Sequence, residues 1–208
     1  MERQFFDLLI FFEGYVRNYR RQNLNQQHNR SMFTRREIDY FANLGEMLGF
    51  HVYVEDSKPD KSKGRSRPMD LAWWRWDERI NKEHYVGLIL HLERENLWNK
   101  DVETIEKLFS KTDEEYIPHN VIGIQNIESA SRIEPLNRLV IRKNREQGSN
   151  ALMIYRFYDT EVEIERVWAY HFSATGQVEV RKAICRMDDI GYWYMYYEEE
   201  FMNNRYGK

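Results

Sequence analysis

The sequence predicts an α/β protein built on a central mixed sheet with a β-rich C-terminal extension. Three observations lead there. Apolar strand-type runs at residues 50–54, 85–92 and 121–124 accompany segments at 34–49, before the first, and 101–110, before the third, that read as helices. A Pro68-led segment, 68–76, reads as one more strand, because proline lacks the donor that a strand interior needs and so marks a strand's beginning. After Gln125 three further extended runs follow, 151–158, 162–172 and 177–185, which either extend the sheet or form a small β subdomain.

Taken in order, Phe5, Leu8, Leu9, Phe12 and Val16 lie on one face of a predicted N-terminal helix over residues 2–20. Its second half turns basic: residues 14–36 contain Arg17, Arg20, Arg21, Arg30, Arg35 and Arg36 and no acid, around a polar loop at 22–29. A second helix is predicted to start at Thr34, with Glu37 completing a capping box, and to end at Gly49. Residues 101–110 form a short amphipathic helix with Val102, Ile105, Leu108 and Phe109 on one face, and the strand at 121–124 returns the chain to the sheet by a right-handed crossover. Helix is expected within 128–145, with Pro135 marking a start or a break. Ala174, Thr175 and Gly176 suit the hairpin turn between the last two extended runs. The divisions expected are an N-terminal helix and basic loop (1–33), an α/β core (34–127) and a C-terminal extension of the same domain (128–208).

The chemistry sits where two strands meet. Asp70 precedes Glu93 by 23 residues, and Glu93-Arg94-Glu95 closes the apolar run 85–92. Alternation along a strand puts Val86, Leu88, Leu90 and Leu92 on one face and Gly87, Ile89, His91, Glu93 and Glu95 on the other. If the Asp70 segment is the antiparallel neighbour, Asp70, Glu93 and Glu95 converge at one edge. Clustered carboxylates raise one another's pKa unless a cation neutralises them, and Mg2+ or Mn2+ suits an all-oxygen site. His91 is expected to pack beside this site and not to act as a ligand. Lys58, Lys61, Lys63, Arg65 and Arg67, against a single Asp60, form a basic loop leading directly into Asp70, so a polyanion such as DNA is the expected partner.

This order, a helix with a glutamate, a strand with an aspartate, a strand ending in a glutamate pair, then a helix with a lysine, resembles the PD-(D/E)xK nuclease superfamily over residues 34–127. Glu93-Arg94-Glu95 departs from the family's usual Glu-x-Lys. The resemblance implies a restriction-endonuclease-like sheet and a metal-dependent DNA endonuclease, with Asp70, Glu93 and Glu95 holding Mg2+ or Mn2+. Glu46 would support the cluster from the preceding helix. Lys107 would stand in for the motif lysine, orienting water or stabilising phosphorane charge, although on a helical wheel it falls opposite Val102, Ile105 and Phe109, and Glu103 offers it an i,i+4 partner.

With 31 Lys+Arg against 34 Asp+Glu the whole chain carries no basic signature, so only local charge argues for nucleic acid. Cys185 stands alone, which excludes an intrachain disulfide and makes a cytoplasmic setting the expectation. The apolar stretch 5–12 is interrupted by Asp7 and falls short of the roughly 20 residues that span a bilayer, so neither a signal peptide nor a membrane helix is expected. Trp73, Trp74, Trp76 and Trp98 are expected to serve as core or lid residues. The ring-rich stretch 192–197 is expected either to cover both sides of a strand or to form a homodimer interface. Two rivals to the nuclease stand beside it: a non-catalytic nucleic-acid-binding protein with a degraded site, and a protein-interaction module.

Overall fold

The computed structural model describes residues 3–55, 69–77, 79, 85–111 and 115–200. They form one eight-stranded sheet whose spatial order is the chain order: β1 (His51–Val54), β2 (Leu71–Trp76), β3 (Tyr85–Glu95), β4 (Asn120–Asn126), β5 (Asn150–Asp159), β6 (Ile164–Phe172), β7 (Val178–Met187) and β8 (Trp193–Tyr197). β3, β4 and β5 are parallel and all other neighbours antiparallel. The parallel pairs require crossovers, and helices α3 (Asp101–Leu108) and α4 (Ile133–Gln147) supply them. Both lie on one side of the sheet, as two crossovers of equal hand travelling in one direction must. The C-terminal strands therefore extend the sheet.

Helices α1 (Leu8–Asn18) and α2 (Arg30–Met47) cover the opposite side, where Leu8, Phe12, Tyr15 and Phe41 pack on Leu71, Trp73, Leu90, Leu92, Ile122 and Ile154. The α3 and α4 side is closed by Ile105, Leu108, Leu136 and Val140 over Val121, Met153 and Tyr155. Burial on both faces explains why the central strands read as nearly continuous apolar runs.

The start of α2 differs from expectation. Its cap is Asn29, whose side chain accepts from the Met32 N–H at 3.0 Å, and Thr34 lies inside the helix with its hydroxyl donating to the Arg30 carbonyl. Glu37 forms no capping box and is fully buried. Strand β3 also departs from simple alternation. Trp73 pairs with Leu90 but Trp74 with Leu88, so Ile89 is skipped as a bulge. Leu88 consequently packs with Ala72 and Trp74 on the α3 side, away from Leu90 and Leu92.

Ring residues at the C-terminal end cover both sides of a strand. Met195 and Tyr197 join the core under α1, Trp193 packs partly against it, and Tyr194 and Tyr196 stack at 5.4 Å on the other side. Among the described residues no helix is long and apolar enough to cross a membrane.

Candidate functional site

Beyond the Ile89 bulge the alternation of β3 is regular, and consecutive side chains of Glu93-Arg94-Glu95 leave the sheet in opposite directions. Arg94 turns to the α2 side and pairs with Glu37, while Glu93 turns to the α3 side and pairs with Lys107. Leu71 pairs with Leu92, which sets Asp70 across from Glu93. Glu93 Oε2 accepts from the Asp70 N–H at 3.3 Å, and Asp70 Oδ2 accepts from the Arg94 N–H at 2.7 Å. Asp70, Glu93 and Lys107 thus form one cluster: strand spacing leads to the two acids, whereas the helical wheel turns Lys107 away from them.

Lys107 reaches Glu93 and not Glu103 because the buried stripe of α3 is Asp101, Thr104, Ile105 and Leu108, with Val102 exposed. Asp101 is buried because Arg132 grips it with two hydrogen bonds of 2.9 and 3.0 Å. That rotates the helix so that Lys107 borders the sheet, and its long apolar stem carries the ammonium to Glu93.

The electrostatics of the two acids are linked. Burial, then the charge of Asp70, pushes Glu93 up to about 7 despite Lys107. Burial also raises Asp70, the neighbouring charges of Glu55 and Glu95 adding to it while the Arg94 N–H and Lys107 oppose it. Glu55, just after β1, donates its backbone N–H to the Asp70 carbonyl at 3.0 Å. Sequence reasoning passed over it, although β1 pairing with β2 puts residue 55 opposite residue 70.

Other expected members stand apart. Glu95 shares the side of Glu93, but its Oε1 accepts from the Leu97 N–H at 2.8 Å, which turns it toward the chain's exit from β3. Glu46 is exposed in the last turn of α2, in the layer on the opposite side of the sheet from Glu93. The acid that α2 does bury is Glu37, held by Arg94, Arg156, Tyr15 and Tyr19. Burial alone would raise the Glu37 pKa, but the guanidinium groups of Arg94 and Arg156 pull it below the usual range. Lys58, Lys61, Lys63, Arg65 and Arg67 lie outside the described residues.

Two buried polar side chains flank the cluster. His91 is fully buried with both ring nitrogens unpartnered, and burial lowers it to about 3, so it is neutral and no cation. Gln125 lies beside Glu95 in the β3–β4 register, fully buried with neither end of its amide partnered. Neighbouring Gly123 leaves room for the end of Met153: a Cβ there would lie 2.6 Å from the Met153 terminal methyl and 3.1 Å from Leu108 under α3, so the methionine would have to shift.

The donor set tests the expected cation. Mg2+ or Mn2+ would need several oxygens aimed at one point. Here the Lys107 ammonium already lies on Glu93 Oε1, Glu93 Oε2 and Asp70 Oδ2 are engaged by backbone N–H groups, and Glu95 is turned aside. Among the described residues no group of three or more His, Cys, Asp or Glu side chains is arranged to hold a metal ion. The described geometry does not fit a three-carboxylate metal site. No protein-family model matches the chain, and no curated protein matches it either.

Proposed function

We propose that the protein binds nucleic acid without cutting it, on a core of the PD-(D/E)xK type whose acidic site has closed on itself. One observation carries this reading: the Lys107 ammonium already lies on Glu93, so the acidic cluster draws a counterion from within the chain. The succession α2, β1, β2, β3, α3, β4, with Asp70, Glu93 and Lys107 at their places in it, supports the family resemblance. The five basic residues between 58 and 67 lead into Asp70 in the sequence and supply the phosphate contacts. Fluorescence anisotropy of labelled duplex DNA against salt tests this. Binding that weakens steeply with salt, and more shallowly when Lys61, Lys63 and Arg65 are replaced by alanine, supports it; salt-independent or absent binding refutes it.

A metal-dependent DNA endonuclease is the second reading, favoured by the Glu93 pKa of about 7 beside a raised Asp70. A divalent cation between the two acids would favour their ionised forms and so offset the burial that raises both. Mg2+- or Mn2+-dependent cleavage lost in Asp70→Asn would establish that reading over the first. A cytoplasmic setting accords with either, because the single Cys185 is buried and needs no oxidising compartment. A homodimer would use the side of β8 that carries Tyr194 and Tyr196.

A further inference from the structure

The carboxyl ends of β3, β4 and β5 lie along one edge of the sheet because the three strands are parallel, and ligands of α/β proteins bind characteristically at such an edge. An open cleft of about 610 Å³ lies there, continuous through Arg30, Asn96, Asn126, Arg156, Glu165 and Trp193 with an adjoining space of about 370 Å³. This is the size range of small-molecule sites.

Its floor is rigid and already neutralised. The Arg156 guanidinium is gripped by Glu37 and by Glu165 Oε1 at 2.7 Å, and Arg94 by Glu37. The rim is different. Arg30 is exposed on it as the first residue of α2, where no acid accompanies it in the first turn. A cation at a helix N-terminus opposes the macrodipole and costs stability, so this position lacks a structural reason for arginine. An anion at the rim would be attracted by Arg30 and by the helix end together.

Trp98 and Tyr158 line the same cleft while 56% and 57% exposed. Their exposed ring faces are available for stacking, and every nucleobase offers a flat π face. Glu163, also on the rim, presents a carboxylate able to accept from a base amino group.

We propose that this cleft is a nucleotide-binding site, with the base stacked on Trp98 and the phosphate held at Arg30. It is separate from the Asp70–Glu93–Lys107 cluster and does not depend on the nucleic-acid reading above, because free mononucleotides suffice to occupy it.

Calorimetric titration of the intact chain with AMP, GMP, CMP and UMP tests the proposal, with adenosine and inorganic phosphate as partial ligands. Saturable one-to-one binding of at least one nucleotide is expected, weakened about tenfold in Trp98→Ala and similarly in Arg30→Ala. Both replaced side chains are exposed, and thermal melting checks that the variants remain folded. Absence of saturable binding by all four nucleotides at millimolar concentration overturns the proposal. So does binding that neither substitution alters, or phosphate binding as tightly as the nucleotides, which would mean an anion site only. Duplex DNA binding measured on the same variants separates this result from the previous one: Trp98→Ala should leave it intact.

Discussion

Replacing Glu93 by glutamine removes a charge that the fold holds at a disadvantage, and the pH dependence of stability should record it. The carboxyl ionises near 4.5 when exposed and near 7 when folded, a separation worth roughly 3 kcal/mol. The sign follows from proton counting. Between those two values the unfolded chain has lost this proton and the native state has kept it, so stability falls as pH rises through the window. Glutamine does not titrate. The stability of Glu93→Gln minus that of the parent protein should therefore increase by roughly 3 kcal/mol between about pH 4 and about pH 8. Taking the difference cancels the carboxylates that are not linked to Glu93, such as Glu37, whose lowered pKa gives stability that is lost on acidification; Asp70, which is linked to it, contributes to the size of the change and not to its sign. Urea unfolding followed by circular dichroism at a series of pH values measures it. A difference that stays flat across the range would refute the reasoning that burial and Asp70 hold the proton on Glu93.

Lys107→Met removes the ammonium that favours the ionised form, so the Glu93 titration observed by carboxyl NMR should move above 7; an unmoved midpoint would contradict the contact. Glu37→Ala leaves Arg94 and Arg156 buried without their shared counterion, and chemical denaturation should show a loss of about 3–5 kcal/mol. Gly45→Ala would set a methyl 2.6 Å from the ring of Trp73, which is fully buried and cannot swing away, so a loss of about 1–3 kcal/mol is expected in the same assay.

Much of the sheet is legible in the sequence because its information is local. Apolar runs bounded by turn residues mark β3, β4 and β5, and the Asp70–Glu93 pairing follows from antiparallel geometry once β2 and β3 are neighbours. What escapes depends on contacts remote in the chain. The facing of Lys107 is governed by Arg132 holding Asp101, an ion pair across 31 residues, whereas a helical wheel scores hydrophobicity alone. Glu46 looked suited to the site from its position near the end of α2, but Glu37 is the acid with arginines waiting inside the fold. Of the loop read at 22–29, Gln22 closes a 3-10 turn, and the cap of α2 falls on Asn29, one turn before the Thr34 and Glu37 pair that reads as a capping box. The Ile89 bulge leaves no sequence mark at all: Ile89 is as apolar as its neighbours, and only the pairing with β2 reveals the skipped residue.

Titration calorimetry with Mn2+ at mildly alkaline pH, on the parent protein and on Asp70→Asn, tests the central claim most directly. If Lys107 has taken the cation's place, the two proteins give the same trace, without saturable binding. A saturable site present in the parent and lost in Asp70→Asn would contradict the closed-site reading and identify Asp70 and Glu93 as metal ligands.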